Sequence, residues 1–253
     1  MLLDSALSLR LGLGLERKLL VAACRMVVQL LLVGLILKAL FAAASAPLVL
    51  AVVLVMALAA AREVVSRQER RLAGWWNYGL GAGTMALATA AVAALALTTQ
   101  LRPHPWYDPR YLVPLVGIIL GSVMNGVSLS LGMVVVAVER ERDAIEARLA
   151  LGWPRFAALK PFLQRALRAG LVPVVNQMSA AGLVTLPGMM TGQILAGMDP
   201  MDAVKYQILI LFLLAGGTGL GVLGAVYGAA WRLTDERDRL RLDRLEAQRP
   251  RTG

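Results

Sequence analysis

The chain has a single cysteine, Cys24, and a single histidine, His104, in 253 residues. One thiol cannot close a disulfide within the chain, and no Cys-cluster metal site can form. Charged residues are also scarce, 17% against roughly 25% in soluble domains, while 58% of the sequence is hydrophobic. No G-x-x-x-x-G-K-[ST] phosphate loop occurs, so any ATP that drives this protein is hydrolysed by another polypeptide. A G-x-S-x-G elbow is missing too, as is a pair of carboxylates within the apolar runs, which argues against an intramembrane enzyme. The N-terminus, MLLDSALSLRLGLGLERK, carries Asp4 and no small-residue cleavage site, and does not read as a signal peptide.

What the chain does have is apolar runs long enough to cross a hydrocarbon core of about 30 Å. Six spans are expected, at roughly 19–43, 46–61, 75–100, 111–138, 171–197 and 203–231. Backbone groups find no water in lipid, so these runs form helices. The expected fold is all-α, a polytopic helical membrane protein. Its transmembrane domain covers 1–231 and includes a cytoplasmic loop at 139–170; a charged cytoplasmic tail follows at 232–253. Twenty-one of the 26 lysines and arginines fall in the N-terminal segment, the loops 62–74 and 139–170, and the tail. By the positive-inside rule these segments are cytoplasmic. The net charge of +10 is thereby a matter of topology, with no call for nucleic acid. The partner it implies is membrane lipid.

The external loop LRPHPWYDPRY, 101–111, has three prolines that prevent a helix and aromatics suited to the interface. A ligand role for His104 would need partners that the loop barely offers, Asp108 being the nearest, so a solvated histidine is expected. Arg25 either snorkels to the cytoplasmic interface or faces an internal acid or anionic substrate. Lys38, Trp75 and Trp76 read as interfacial anchors.

The cytoplasmic loop reads ERERDAIEARLALGWPRFAALKPFLQRALRAG over Glu139–Gly170. Gly152 can end one helix and Pro154 can open the next, giving a helix, a sharp turn at Trp153, and a second amphipathic helix ahead of a span. Glu146-Ala147-Arg148 followed by Gly152 resembles the coupling loop of ABC transporter permeases, which docks into a groove on a cytosolic ATPase. Ala147 would permit close approach, Glu146 would anchor, and Gly152 would re-aim the chain. Two features depart from that pattern: Arg148 stands where a second alanine is usual, and the hydrophobic-x-x-Pro ending is absent. Lying on lipid headgroups is the alternative.

The stretch GLVTLPGMMTGQILAGMDP, Gly182–Pro200, concentrates helix-weakening residues inside an apparent span. Gly188 and Gly192 form a small-xxx-small pair suited to close helix packing. Pro187 beside Gly188 suits a broken helix, and transporters place substrate sites at such breaks. Met189 and Met190 offer thioethers for a soft metal, although Met more often packs. Asn176, Gln177, Ser179, Thr185, Thr191 and Gln193 lie in the same run, and Asn125, Ser128 and Ser130 in the span 111–138. Polar groups in lipid face the bundle interior, so Asn125, Asn176, Gln177, Thr185 and Gln193 become path candidates with Pro187 to Met190 and Gly192. Asp199 and Asp202 are expected to cap the last helix. In the tail, Thr234 with Asp235 and Glu236 predicts the cap of a solvated helical extension, ATPase contact being the alternative.

The segment GLVTLPGMMTGQILAGMDPMDAVKYQILI, Gly182–Ile210, closely resembles the FetB (YbbM-like) family of ABC permeases, to which plant aluminium-tolerance proteins also belong. The likeness runs from about Leu19 through the last span and includes RMVVQLLLVGLILKALF, Arg25–Phe41. The resemblance implies a homodimeric permease of the cytoplasmic (inner) membrane, partnered by a separate FetA-like ATPase and linked to iron export. ATP and Mg would sit on that partner, with no cofactor on this chain. Plant members are associated with nucleotide-sugar movement, so cargo is not fixed by membership. Family members usually begin with one more apolar span; here MLLDSALSLRLGLG is too short and polar to cross, which implies an upstream start or a vestigial first helix. The rival reading is an autonomous channel or secondary carrier.

Overall fold

The computed structural model describes residues 16–43, 45–68, 72–101 and 105–245. Its helices are α1 (Glu16–Ala43), α2 (Ala46–Arg67), α3 (Trp76–Ala96, ending in a π turn at Leu97–Leu101), α4 (Pro109–Arg140), α5 (Arg142–Ala150), α6 (Arg155–Ala180), α7 (Gly188–Leu195) and α8 (Pro200–Leu233). There is no strand among the described residues, only isolated bridges. Five helices are long and apolar enough to cross a membrane: α1 from Leu19, α2, a segment from Tyr78 to Thr99, α4 and α8. The polytopic all-α expectation therefore holds. His104 and residues 1–15 and 246–253 lie outside the described residues.

Local signals set the helix starts. Pro109 and Pro200 each occupy the first helical position, where a missing N–H costs no bond. Ahead of them, Asp108 accepts from the Arg110 N–H at 2.9 Å, and Asp199 accepts from the N–H groups of Met201 and Asp202 at 2.8 and 3.3 Å. The cap expected from the Asp199 pair is thus made by Asp199, while Asp202 pairs with Lys205 at 2.9 Å.

Helices α4 and α8 form the centre, and α3 and α6 pack on both of them. Close approach depends on glycine. A Cβ at Gly126 would lie 2.6 Å from the Thr218 methyl and 2.9 Å from the Gly170 carbonyl oxygen. One at Gly170 would lie 2.8 Å from the Gly126 carbonyl oxygen. Gly221 meets Val123 of α4 in the same way, and Gly224 and Gly228 meet Thr84 and Leu80 of α3. Small residues let backbones touch where lipid supplies no hydrophobic drive between helices. Within the protomer the pair singled out from sequence makes no such contact: a Cβ at Gly188 or Gly192 would meet nothing.

Three sequence expectations change. The second span does not stop at residue 61; α2 continues to Arg67, because Arg62, Glu63 and Arg67 extend the helix with an (i, i+4) pair. The span expected at 171–197 is not one helix. Its first part belongs to α6, which begins at Arg155 and runs unbroken through Pro161 and Pro173, so no boundary separates an amphipathic helix from a membrane segment. Neighbouring helices tolerate such prolines in membranes by re-satisfying freed backbone groups. Over its described residues the tail, finally, is not the expected helix, apart from a single 3-10 turn at Leu242–Arg244. Thr234 terminates α8, donating its hydroxyl to the Ala230 carbonyl at 2.8 Å rather than capping a new helix. The chain then folds back: the N–H of Arg241 reaches the Leu233 carbonyl at 2.8 Å, that of Ala73 reaches the Arg244 carbonyl at 2.7 Å, and Leu72 bridges to Leu245.

Candidate functional site

The backbone N–H of Arg155, at the start of α6, donates to Asp238 beyond the end of α8 at 3.0 Å. The α5–α6 turn and the folded tail therefore share one end of the bundle. From there α6 runs antiparallel to α4: Arg165 lies 3.9 Å from Glu141, and Gly170 touches Gly126. Past the break, Met189 and Gln193 of α7 share a cavity with Arg110 and Tyr206 at the far end. At about 1.5 Å per residue the 26 residues of α6 span roughly 39 Å. Arg155, Lys160, Arg165 and Arg168 occupy its N-terminal part, however, and among the described residues five helices, not the six expected, are long and apolar enough to cross.

Two open cavities converge on Asn125, half-way along α4. One, about 300 Å³, lies between α4, α6 and α8 and is lined by Ser122, Asn125, Pro173, Gln177 and Thr218 among others. The other, about 500 Å³, is lined by Arg67, Gln68, Asn125, Ser128 and Pro173 among others. The Asn125 side-chain oxygen accepts from Arg67 at 2.8 Å. Arg67 also donates to Glu63 at 3.2 Å, and Glu63 accepts from Arg25 of α1 at 3.4 Å. A polar chain thus links α1, α2 and α4. Arg25 has an acidic partner in Glu63, while its side chain stays 62% exposed, as an interfacial arginine's would. Both side-chain polar atoms of Gln68 are buried without a partner at the mouth of this cavity.

A third cavity of about 220 Å³ lies toward the other end, lined by Arg110, Tyr111, Met189, Gln193, Met198 and Tyr206 among others. Gln193 has a buried side-chain oxygen with no hydrogen-bond partner. The break itself is a tight turn. Gly182 sits at φ +86°, and the N–H groups of Val184 and Thr185 both reach the Ala180 carbonyl, at 3.0 and 3.1 Å. Leu183, Val184 and Leu186 are exposed around it.

The structure sorts the polar candidates. Asn125 and Gln177 come together at the central cavity, and Met189 and Gln193 at the outer one. Met190 is buried as packing. Asn176, Thr185, Pro187, Gly188 and Gly192 line none of these three cavities. Ser130, Ser179 and Thr191 spend their hydroxyls on carbonyls of their own helix or its cap. Sequence reasoning missed Glu63, Arg67 and Gln68, which it assigned to a loop; the (i, i+4) spacing of Glu63 and Arg67 was the available signal. It also missed the interhelical Ser122–Thr218 hydrogen bond of 2.9 Å. No group of three or more His, Cys, Asp or Glu residues suited to a metal occurs among the described residues.

At the end of the bundle shared with the folded tail, α5 closes on the expected turn. Gly152 adopts φ +83°; its N–H reaches the Leu149 carbonyl at 2.9 Å, and the Trp153 N–H reaches that of Arg148 at 3.1 Å. These are the two bonds of a Schellman cap, which requires a left-handed residue at Gly152. Pro154 then precedes α6 as its cap residue. Arg148, the departure from the coupling-loop pattern, holds the turn: it donates to the Ala158 carbonyl at 3.2 Å, with Trp153 and Phe162 rings 5.9 and 5.6 Å away. Glu146 pairs with Arg142 at 2.9 Å, and Ala147 is exposed. Ile145 is fully buried and anchors α5, whereas Leu151 is 79% and Trp153 48% exposed.

Among known proteins, the chain is 42% identical over 206 residues to the UPF0014 membrane protein slr1647 of Synechocystis, covering 80% of this chain and 78% of that protein. It is 31% identical over 234 residues to the probable iron export permease protein FetB of Escherichia coli, covering 92% and 88%. Protein ALUMINUM SENSITIVE 3 of Arabidopsis thaliana is 27% identical over 227 residues, covering 89% and 81%. No solved structure matches. The model of the uncharacterised protein family UPF0014 matches residues 1–233. A match over that length, on a chain with five apolar helices of membrane-crossing length, makes this protein a member of the UPF0014 family of multi-pass membrane proteins.

Proposed function

We propose that the chain is the permease subunit of an ATP-driven exporter whose cargo is iron or another metal ion, coupled to a separate cytosolic ATPase. The observation that carries this reading is the α5–α6 turn: a short helix anchored by Ile145, closed by Gly152, and leaving Leu151 and Trp153 exposed. Apolar side chains held on a rigid turn suit a groove on a partner protein. The cargo assignment rests on the printed name of the Escherichia coli relative, a probable iron export permease. ATP and Mg belong to the partner, and two copies of this chain would enclose the path.

ATP-driven closure of the ATPases would press on α5 and, because α6 is continuous from Arg155 to Ala180, move the wall of the central cavity directly. Asn125 and Gln177 line that cavity, Met189 and Gln193 the outer one, and the break from Ala181 to Pro187 acts as the hinge between α6 and α7. Cargo would pass from the Arg67–Asn125 mouth outward past Gln177.

Glu146→Lys and Gly152→Trp test the coupling. The first reverses the exposed anchor; the second puts a bulky residue at positive φ, where L side chains are strained. Both variants are expected to insert normally, lose co-purification with the ATPase, and lose metal efflux from loaded cells. Normal co-purification of both would refute the docking role. Uphill transport by the chain alone in proteoliposomes would establish the autonomous carrier instead.

A further inference from the structure

The folded-back tail encloses a cavity of about 360 Å³ at the cytoplasmic end of α8 that the transport reading does not use. Five arginines line it: Arg155, Arg232, Arg237, Arg239 and Arg244. Two carboxylates, Asp235 and Glu236, line it with them; just outside, Asp243 pairs with Arg241 and Asp238 accepts from the Arg155 backbone N–H. Asp235 is already committed, accepting from the N–H groups of Arg237 and Arg239 at 3.0 and 2.9 Å and from the Arg239 guanidinium at 3.1 Å. Arg155 and Arg244 donate to backbone carbonyls, of Asp235 at 3.2 Å and of Arg232 at 2.8 Å, which fixes them in place without neutralising them. The Nε of Arg232 is buried with no hydrogen-bond partner. No ion pair to Arg155, Arg232, Arg237 or Arg244 is formed among the described residues. The cavity is therefore cationic, with surplus planar donors held by the backbone around it.

We propose that this cavity binds a phosphate group. Guanidinium forks match phosphate oxygens in geometry and charge, and fixed donors lose little freedom on binding. Its depth favours the headgroup of an acidic phospholipid of the cytoplasmic leaflet over a soluble phosphate. Arg232 belongs to the last turn of α8, its guanidinium 4.8 Å over the Trp76 ring. The Trp76 and Trp231 rings, 5.8 Å apart and both exposed, mark the headgroup level. Basic pockets at the cytoplasmic ends of membrane helices capture headgroups in this way. A bound phosphate would join the start of α6, the end of α8 and the tail at one point.

Thermal unfolding of the full chain in mixed micelles tests this. In one arm phosphatidylglycerol is titrated into phosphatidylcholine micelles; in the other, inorganic phosphate replaces chloride at constant ionic strength. A saturable rise in unfolding temperature with phosphatidylglycerol is expected. Its midpoint should move to concentrations at least about tenfold higher in Arg232→Gln/Arg237→Gln, since each basic residue near an acidic membrane contributes a severalfold gain. Arg237→Gln alone, at an exposed side chain without a partner, should show part of the shift with no loss of folding. Arg168→Gln, the same charge change outside the cavity, should show none. A saturable, arginine-dependent response to inorganic phosphate alone would keep the site and make its ligand soluble. No saturable response in either arm, or one unaltered in both cavity variants, overturns the proposal.

Discussion

Gly126 and Gly170 show how little room single residues leave in this protein. Each would place a Cβ within 3.0 Å of the other's carbonyl oxygen, and a backbone oxygen cannot swing aside as a side chain can. Gly170→Ala is therefore expected to destabilise the bundle by about 1–3 kcal/mol, the usual cost of overpacking. Gly192→Ala, which meets nothing, should cost almost none. Unfolding temperatures in detergent distinguish the two. Asn125 makes the complementary point. Its side chain is exposed to two cavities and bonded to Arg67, so Asn125→Leu should leave the unfolding temperature within a few degrees while lowering efflux severalfold. An unchanged efflux rate would remove Asn125 from the path.

Whole elements were legible to different degrees. Apolar run length found the crossing helices, and Gly152-Trp153-Pro154 marked the turn after α5 correctly, because a left-handed cap and a following proline each have one conformational preference. Charge misled at α6: the basic stretch up to residue 170 set the expected start of the span at 171, yet packing against α4 and α8 carries one helix through from Arg155. The tail misled for a different reason. Its alternating charges suit an exposed helix, but Leu240, Leu242 and Leu245 pack against the core and pull the chain back over residue 72. That fold-back should be acid-sensitive. Arg241 beside Asp243 holds its carboxyl down to about 2, and the Arg239 N–H holds that of Asp235 below the ordinary range. Both groups favour the folded tail fully above the unfolded carboxylate value of about 3.9 and lose that contribution as pH falls toward 2. Amide exchange at Arg241, corrected for intrinsic rates, should accelerate between pH 4 and pH 2. In Asp243→Asn most of that dependence should vanish.

For the molecule as a whole, composition and charge placement sufficed to read a multi-pass all-α membrane protein, because lipid permits so few alternatives. The polar chain from Arg25 through Glu63 and Arg67 to Asn125 was not legible. Its members lie on three helices, and only packing brings residues 25, 63 and 125 together. The same holds for the cavities, whose walls combine α4 with α2, α6 or α8. Sequence could nominate Gln177 and Gln193 as polar residues in lipid, but not that they open into separate spaces.

Helix α1 keeps none of its most apolar stretch inside the protomer, and Cys24 stands exposed on it as the chain's sole thiol. Nature has thus supplied a unique attachment point on the flank with fewest intramolecular neighbours. A nitroxide carried there would report, through its dipolar coupling to a twin, whether this flank is where two chains meet or merely where acyl tails wet the protein.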